Sequence, residues 1–117
     1  MATQTTQIHP TSIVHKDAQL ASGVIIGPHC VVESGVSIGE NTVLNSNVVI
    51  GENVKIGKNN RFFPMCVIGG NPQILGLKAD SPVGGLVIGD GNTIREQVTI
   101  HPSMHAGEFT KIGNENL

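Results

Sequence analysis

The residues of this chain able to do chemistry are few: five histidines, two cysteines, one Arg95-Glu96 pair and a Gly/Pro-rich segment holding Gln73. Neutral imidazole can accept a proton or ligate a metal near physiological pH. His101 and His105 are four apart, which on a helix would aim both at one metal ion, but the residues around them read as a strand and a turn. No third ligand in matching register is evident, so no metal residues are assigned. His101 and His105 remain weak candidates for an acid-base role. His9 and His15 lie six apart near the start and read as exposed or capping, and His29 as structural. Arg95 and Glu96 leave two readings open, contact with a substrate or a pair closed on itself at the surface.

What positions these groups is a period of six. Ile8, Val14, Leu20, Ile26, Val32, Ile38, Leu44, Ile50, Ile56, Phe62 and Ile68 form an unbroken apolar column, resumed at Ile88, Ile94, Ile100 and, past a weak place at Ala106, Ile112. Neither the 3.6-residue period of a helix nor the two-residue period of an amphipathic strand needs that spacing. A coil of three six-residue sides does, because each side turns one anchor into a shared interior. Four places after an anchor the residue is small or β-branched: Ser12, Ala18, Val24, Cys30, Val36, Thr42, Val48, Val54 and Cys66. That fits a second inward position in a narrow interior. Three places after an anchor stand Thr11, Asp17, Gly23, His29, Gly35, Asn41, Asn47, Asn53, Asn59 and Gly91, mostly types that tolerate a left-handed backbone at a corner.

Cys30 and Cys66 are 36 residues apart, two turns of an 18-residue coil. At strand spacing that puts them roughly 9–10 Å apart on one edge, beyond the reach of a disulfide. They read as small buried thiols. The charge of −2 without a Lys/Arg block argues against nucleic acid as partner. No 18-residue apolar run and no basic-then-apolar leader is visible, so no membrane span and a cytoplasmic location are expected. At 117 residues a single domain, 1–117, is expected. Residues 1–7 lead in, and 70–87 protrude as a loop, because Ile68 to Ile88 spans 20 residues where six would do.

The pattern resembles the hexapeptide-repeat left-handed parallel β-helix, an all-β triangular prism, here with one long protruding loop. Its handedness follows from the resemblance, since ordinary crossovers are right-handed. A β-sandwich of short strands would instead want turns every 8–12 residues. Within that class, Ile68-Gly69, Asn71-Pro72-Gln73 and the block from Ile88 to His101 are similar to the acyl-carrier-protein–UDP-N-acetylglucosamine O-acyltransferases. So are Ile8-His9-Pro10-Thr11-Ser12-Ile13-Val14 and Lys111-Ile112-Gly113-Asn114-Glu115-Asn116-Leu117.

The resemblance implies a homotrimer with substrate clefts between subunits and transfer of a hydroxyacyl group from acyl carrier protein to the sugar 3-hydroxyl, in lipid A biosynthesis. No cofactor is implied. Gln73 matches a residue that reaches the nucleotide sugar, and His101 one that lines the same cleft. Ile74 replaces the acidic residue that usually follows Gln73, and Pro102-Ser103 an Arg-Gly. The general-base histidine of the family comes just after the stretch matching Gly113 to Leu117, so these 117 residues are expected to lack it, as a fragment or as a shortened homologue. Two other readings stay open: a non-catalytic trimeric scaffold or nucleotide-sugar-binding protein, and a zinc enzyme like the γ-class carbonic anhydrases.

Overall fold

Short strands with one inward and one outward side chain follow directly from the six-residue spacing, and the computed structural model contains them in that order. It describes residues 6–69, 85–103 and 109–117. Sheet A holds β1 (Gln7–Ile8), β4 (Ile25–Ile26), β7 (Val43–Leu44), β10 (Arg61–Phe62) and β13 (Thr93–Ile94). Sheet B holds β2 (Ile13–Val14), β5 (Val31–Val32), β8 (Val49–Ile50), β11 (Val67–Ile68) and β14 (Thr99–Ile100). Sheet C holds β3 (Gln19–Leu20), β6 (Ser37–Ile38), β9 (Val54–Ile56), β12 (Gly85–Ile88) and β15 (Phe109–Ile112). All the pairings are parallel, and successive strands visit the three sheets in turn. The chain is a left-handed parallel β-helix with triangular coils.

The anchor column is the core. Ile26, Val32, Ile38, Leu44, Ile50, Ile56, Phe62, Ile68 and Ile88 are buried, and Val14, Leu20, Ile100 and Ile112 are partly buried against them at the two ends. Each fully buried aliphatic anchor contributes about 1.5–3 kcal/mol. Stacked one per side per coil, they stabilise a narrow interior in which Phe62 is the one aromatic anchor among the described residues.

Corners need a left-handed residue, and eight of the ten expected ones have positive φ, from Asn47 at 58° to Gly23 at 75°. Thr11 and Asp17 are not among them. Met65, Gln97 and Glu115 are further left-handed corners that the composition of the column does not suggest. Glycine is sterically required where coils touch: a Cβ on Gly39 would lie 2.5 Å from the carbonyl carbon of Gly57.

The second inward column contains a polar thread. Ser12 Oγ donates to Gly27 O (2.6 Å), Thr42 Oγ1 to Gly57 O (2.8 Å) and the Cys30 thiol to Asn45 O (2.8 Å), always into the next coil. Higher up, asparagine takes over. Asn60 Nδ2 donates to Gly89 O (2.8 Å) and Asn92 Nδ2 to Gly113 O (2.7 Å). Asn60 Oδ1 accepts from the N–H of Asn92 (2.8 Å), and Asn92 Oδ1 from that of Asn116 (2.9 Å). Asn60 and Asn92 are fully buried, and among the described residues no buried side-chain N or O lacks a partner. Two layers apart, both cysteines are buried and free.

Three sequence boundaries need correction. The lead-in ends before Gln7, which pairs with Ile25 in β1. The expected 70–87 loop ends earlier too, because Gly85–Val87 already belong to β12, held between β9 and β15; residues 70–84 lie outside the described residues. The second break, expected near Ala106, is an insertion. Ile112 stacks on Ile88, 24 residues earlier, where an unbroken coil would separate them by 18. Ile112 therefore takes the place expected of Ala106, and the segment after Ile100 carries six extra residues. Ala106 itself lies outside the described residues.

Two outcomes test this core. Replacing Asn60 by Leu strands the Asn92 N–H and the Gly89 carbonyl, so urea unfolding should show a loss of about 2–5 kcal/mol with an unchanged slope. Burial pushes both thiols above their ordinary pKa, with Glu96 adding to the effect at Cys66, against hydrogen bonds that oppose it. The folded chain then holds thiol protons that the unfolded chain releases, so this stability is intact below about pH 8.5 and lost as pH rises further. The urea midpoint should fall above that pH, and less steeply in a Cys30→Ala/Cys66→Ala variant.

Candidate functional site

The repeat is interrupted twice, and both interruptions open on the same edge in consecutive coils. One lies between β11 on sheet B and β12 on sheet C, the other between β14 on sheet B and β15 on sheet C. An insertion can leave a stacked coil only if the chain returns to the edge it left. Otherwise every strand above would lose its register. Two insertions therefore share one edge, and insertions are where function is commonest in a repeat scaffold.

His101 stands at this edge, one residue past the anchor Ile100, and is half-buried. In the coils beneath it the matching positions are Gly69 and Gly51. Gly69 donates its N–H to Ile100 O (2.6 Å), and Ser103 donates its own to Gly85 O (3.3 Å). The stretch from His101 to Ser103 thus crosses from sheet B to the first residue of β12. Gly69 has φ of 84°, and a Cβ there would run into the Val54 side chain. Phe109 lies over Gly85 on the outer face of sheet C, and is 54% exposed. Gln73 belongs to the segment joining Gly69 to Gly85, and His105 to the one joining Ser103 to Phe109. Both lie outside the described residues. Their edge is defined by the strands that flank them.

The other described histidines, His9, His15 and His29, do not converge with His101. His15 shares its column but lies four layers away, about 19 Å at strand spacing. Its Nδ1 is 2.8 Å from Asp17 Oδ1, at the surface. His9 Nδ1 and Thr11 Oγ1 are 2.9 Å apart near the edge between sheets A and B, where His29 forms a corner. Among the described residues no group of three or more His, Cys, Asp or Glu could hold a metal ion.

The Arg95 and Glu96 alternatives resolve toward a surface pair. Arg95 Nε donates to Glu96 Oε1 at 2.9 Å with both side chains at least half exposed, and the guanidinium lies 4.4 Å from the centre of the Phe63 ring. That hydrogen bond holds the Glu96 carboxyl below its usual range. A cavity of about 580 Å³ opens beside them, lined by Ile94, Val98, Ile100 and Ile112 among others. It is the apolar mouth of the prism at the last described coil, and its lining brings no titratable cluster together.

Among the described residues the edge offers one imidazole, that of His101, beside the glycines of the coils beneath it. Comparison with known proteins gives this a setting. The chain is 50% identical over 111 residues to an acyl-carrier-protein–UDP-N-acetylglucosamine O-acyltransferase of Akkermansia muciniphila, a match covering 95% of this chain and 42% of that protein. Among solved structures it is similar to the UDP-N-acetylglucosamine acyltransferase of Francisella novicida, with a TM-score of 0.84 and 44% identity over 92% of this chain and 39% of that one. A second, from Bacteroides fragilis, gives 0.86 with 36% identity over 95% of this chain and 43% of the other. The chain thus spans about two-fifths of the length of these relatives. Among the described residues no helix is long and apolar enough to cross a membrane. The profile of the bacterial transferase hexapeptide family (six repeats) matches residues 5–39 and 35–70, more than half of the chain, which therefore belongs to that family.

Proposed function

We propose that this chain forms the prism and one wall of the substrate cleft of an acyl-carrier-protein–UDP-N-acetylglucosamine O-acyltransferase that works as a homotrimer in the cytoplasm, in lipid A biosynthesis. The observation that carries the reading is the 50% identity, across 95% of the chain, to a relative of that name. The concentration of both insertions and His101 on one edge agrees with it.

In such a reaction the sugar 3-hydroxyl attacks the thioester carbonyl carbon of the acyl carrier protein. The new C–O bond forms as the C–S bond breaks, and the hydroxyl proton is passed through a base to the departing thiolate. A sugar hydroxyl is a poor nucleophile at neutral pH, so an imidazole base suits the step. Backbone N–H groups are the natural stabilisers of the oxyanion. His101 is assigned to the cleft wall, where its ring nitrogens hold the sugar or its acyl partner, and Gln73 to the nucleotide sugar. Neither is assigned to proton abstraction. Ile74 and Pro102-Ser103, which depart from the family pattern, mark the places where substrate preference would differ.

Calorimetric titration with UDP-N-acetylglucosamine tests the reading. The chain should bind it, and His101→Ala should weaken binding roughly 5- to 30-fold, the value of one or two lost hydrogen bonds. Absence of any heat at millimolar ligand would favour a scaffold that kept the prism alone. In a protein that also carries the family's general base, acyl transfer that survives His101→Ala, with weakened sugar binding, would support the wall assignment over a base.

A further inference from the structure

Both insertions return to the prism through lengthened strands. Strands of the regular coils hold two or three residues, whereas β12 and β15, which follow the two insertions, hold four. The residues gained are Gly85-Leu86 and Phe109-Thr110, and they pair side by side in neighbouring coils. Leu86 is buried, so by the alternation of a strand Gly85 faces outward, with Phe109 directly beside it. The Phe109 ring fills the space that Gly85 leaves, and a Cβ on Gly85 would run into ring atoms Cδ1 and Cε1. A glycine weakens a strand, and an aromatic neighbour laid over it restores the missing packing. The other two phenylalanines are engaged elsewhere. Phe62 is a core anchor, and Phe63 lies under the Arg95 guanidinium. Phe109 is more than half exposed, and Gly85 is what its ring covers.

Gly85 matters because His101 is held through it. The Gly85 carbonyl accepts the Ser103 N–H (3.3 Å), and before His101 the Ile100 carbonyl accepts the Gly69 N–H (2.6 Å). Pro102 lies between His101 and Ser103. Its ring fixes its own φ and biases His101 toward extended backbone. The stretch from His101 to Ser103 is therefore a short, stiff span with one end on sheet B and the other on Gly85. The first end is set by the regular pairing of β11 with β14. The second end is only as fixed as Gly85.

We propose that Phe109 is a positioning residue for His101. Seated on Gly85, its ring fixes the far end of the span and so the direction in which the imidazole is presented at the edge. This rests on the cleft-wall role of His101 proposed above and adds the residue that holds that wall in place. Phe109 itself touches no substrate in this scheme.

Calorimetric titration with UDP-N-acetylglucosamine and amide hydrogen exchange read by NMR test the inference together. Phe109→Ala should weaken binding roughly 3- to 10-fold, and Phe109→Tyr, which keeps the ring, should not. Gly85→Ala displaces the ring without removing it and should weaken binding in the same way. In the His101→Ala background Phe109→Ala should have no further effect, because a residue acting through another has nothing left to act on. In the free chain the Ser103 amide should exchange several-fold faster in Phe109→Ala and Gly85→Ala, while the amide of Val67, inside the ladder, keeps its protection. If Phe109→Ala weakens binding equally with and without His101, Phe109 meets the ligand directly and positioning is refuted. Unchanged exchange at Ser103 in both Phe109→Ala and Gly85→Ala refutes it too, whether or not the chain binds the sugar nucleotide. If the unmodified chain binds none while Ser103 exchange does respond, the proposed function falls and the hold of Phe109 on this span stands.

Discussion

Every coil must lie directly over the one before it, because the backbone of this molecule is hydrogen-bonded almost entirely between coils. Gln7 N–H reaches Val24 O, Ile25 N–H reaches Thr42 O and Val43 N–H reaches Asn60 O, the same step repeated along the axis. The interior polar thread doubles that ladder from inside, with Ser12, Cys30 and Thr42 each donating to a carbonyl one coil on. Stacking at this spacing explains the rest. It demands one anchor per side, a left-handed residue at nearly every corner, and glycine wherever one coil bears directly on the next, as at Gly39 over Gly57. It also restricts insertions to lengths that return to their own edge.

The anchors were legible in the sequence because burial in a prism and apolar character coincide with one fixed spacing. The second inward column was legible only in its lower part. Asn60, Asn92 and Asn116 occupy inward places that an apolar pattern cannot reveal, since an amide inside a protein is acceptable only when its partners are known. Those partners are carbonyls and amides of other coils, 21 to 32 residues away. Corners were missed for a related reason. Met65 and Gln97 do not announce a left-handed backbone by type, and only their phase relative to Phe62 and Ile94 marks them. The weak place at Ala106 marked the second interruption, and the pairing of Ile112 with Ile88 gives its length as six residues.

The site was less legible than the fold. Residue types singled out His101, and the structure puts it on the edge where the repeat is twice interrupted, beside Gly69 and Gly51. The sequence displays one long insertion and one weak anchor as unrelated events. That they share an edge emerges only once strands are assigned to sheets. Gln73 and His105 were chosen by motif and by spacing, and the structure bears on them only through the strands that bracket their segments. His15, equally plausible by residue type, falls four layers from His101 and engages Asp17 instead.

With identical backbone geometry at its three edges, the prism can distinguish them only by side chains and insertions, and it does so strongly. One edge takes both insertions and His101. Another carries Asp90 and Asn114, whose side chains accept from the N–H groups of Lys58 and Asp90 and so tie corner to corner. The third has His29, Met65 and Gln97 at left-handed corners, with the Arg95-Glu96 pair beside the last of them. A uniform scaffold needing only stability would have no reason to bear left-handed Met65 at one corner while using Asn59 at the corner before it. The unequal treatment of equivalent corners therefore separates the edge that carries His101 and both insertions from the edge whose corners Asp90 and Asn114 tie together.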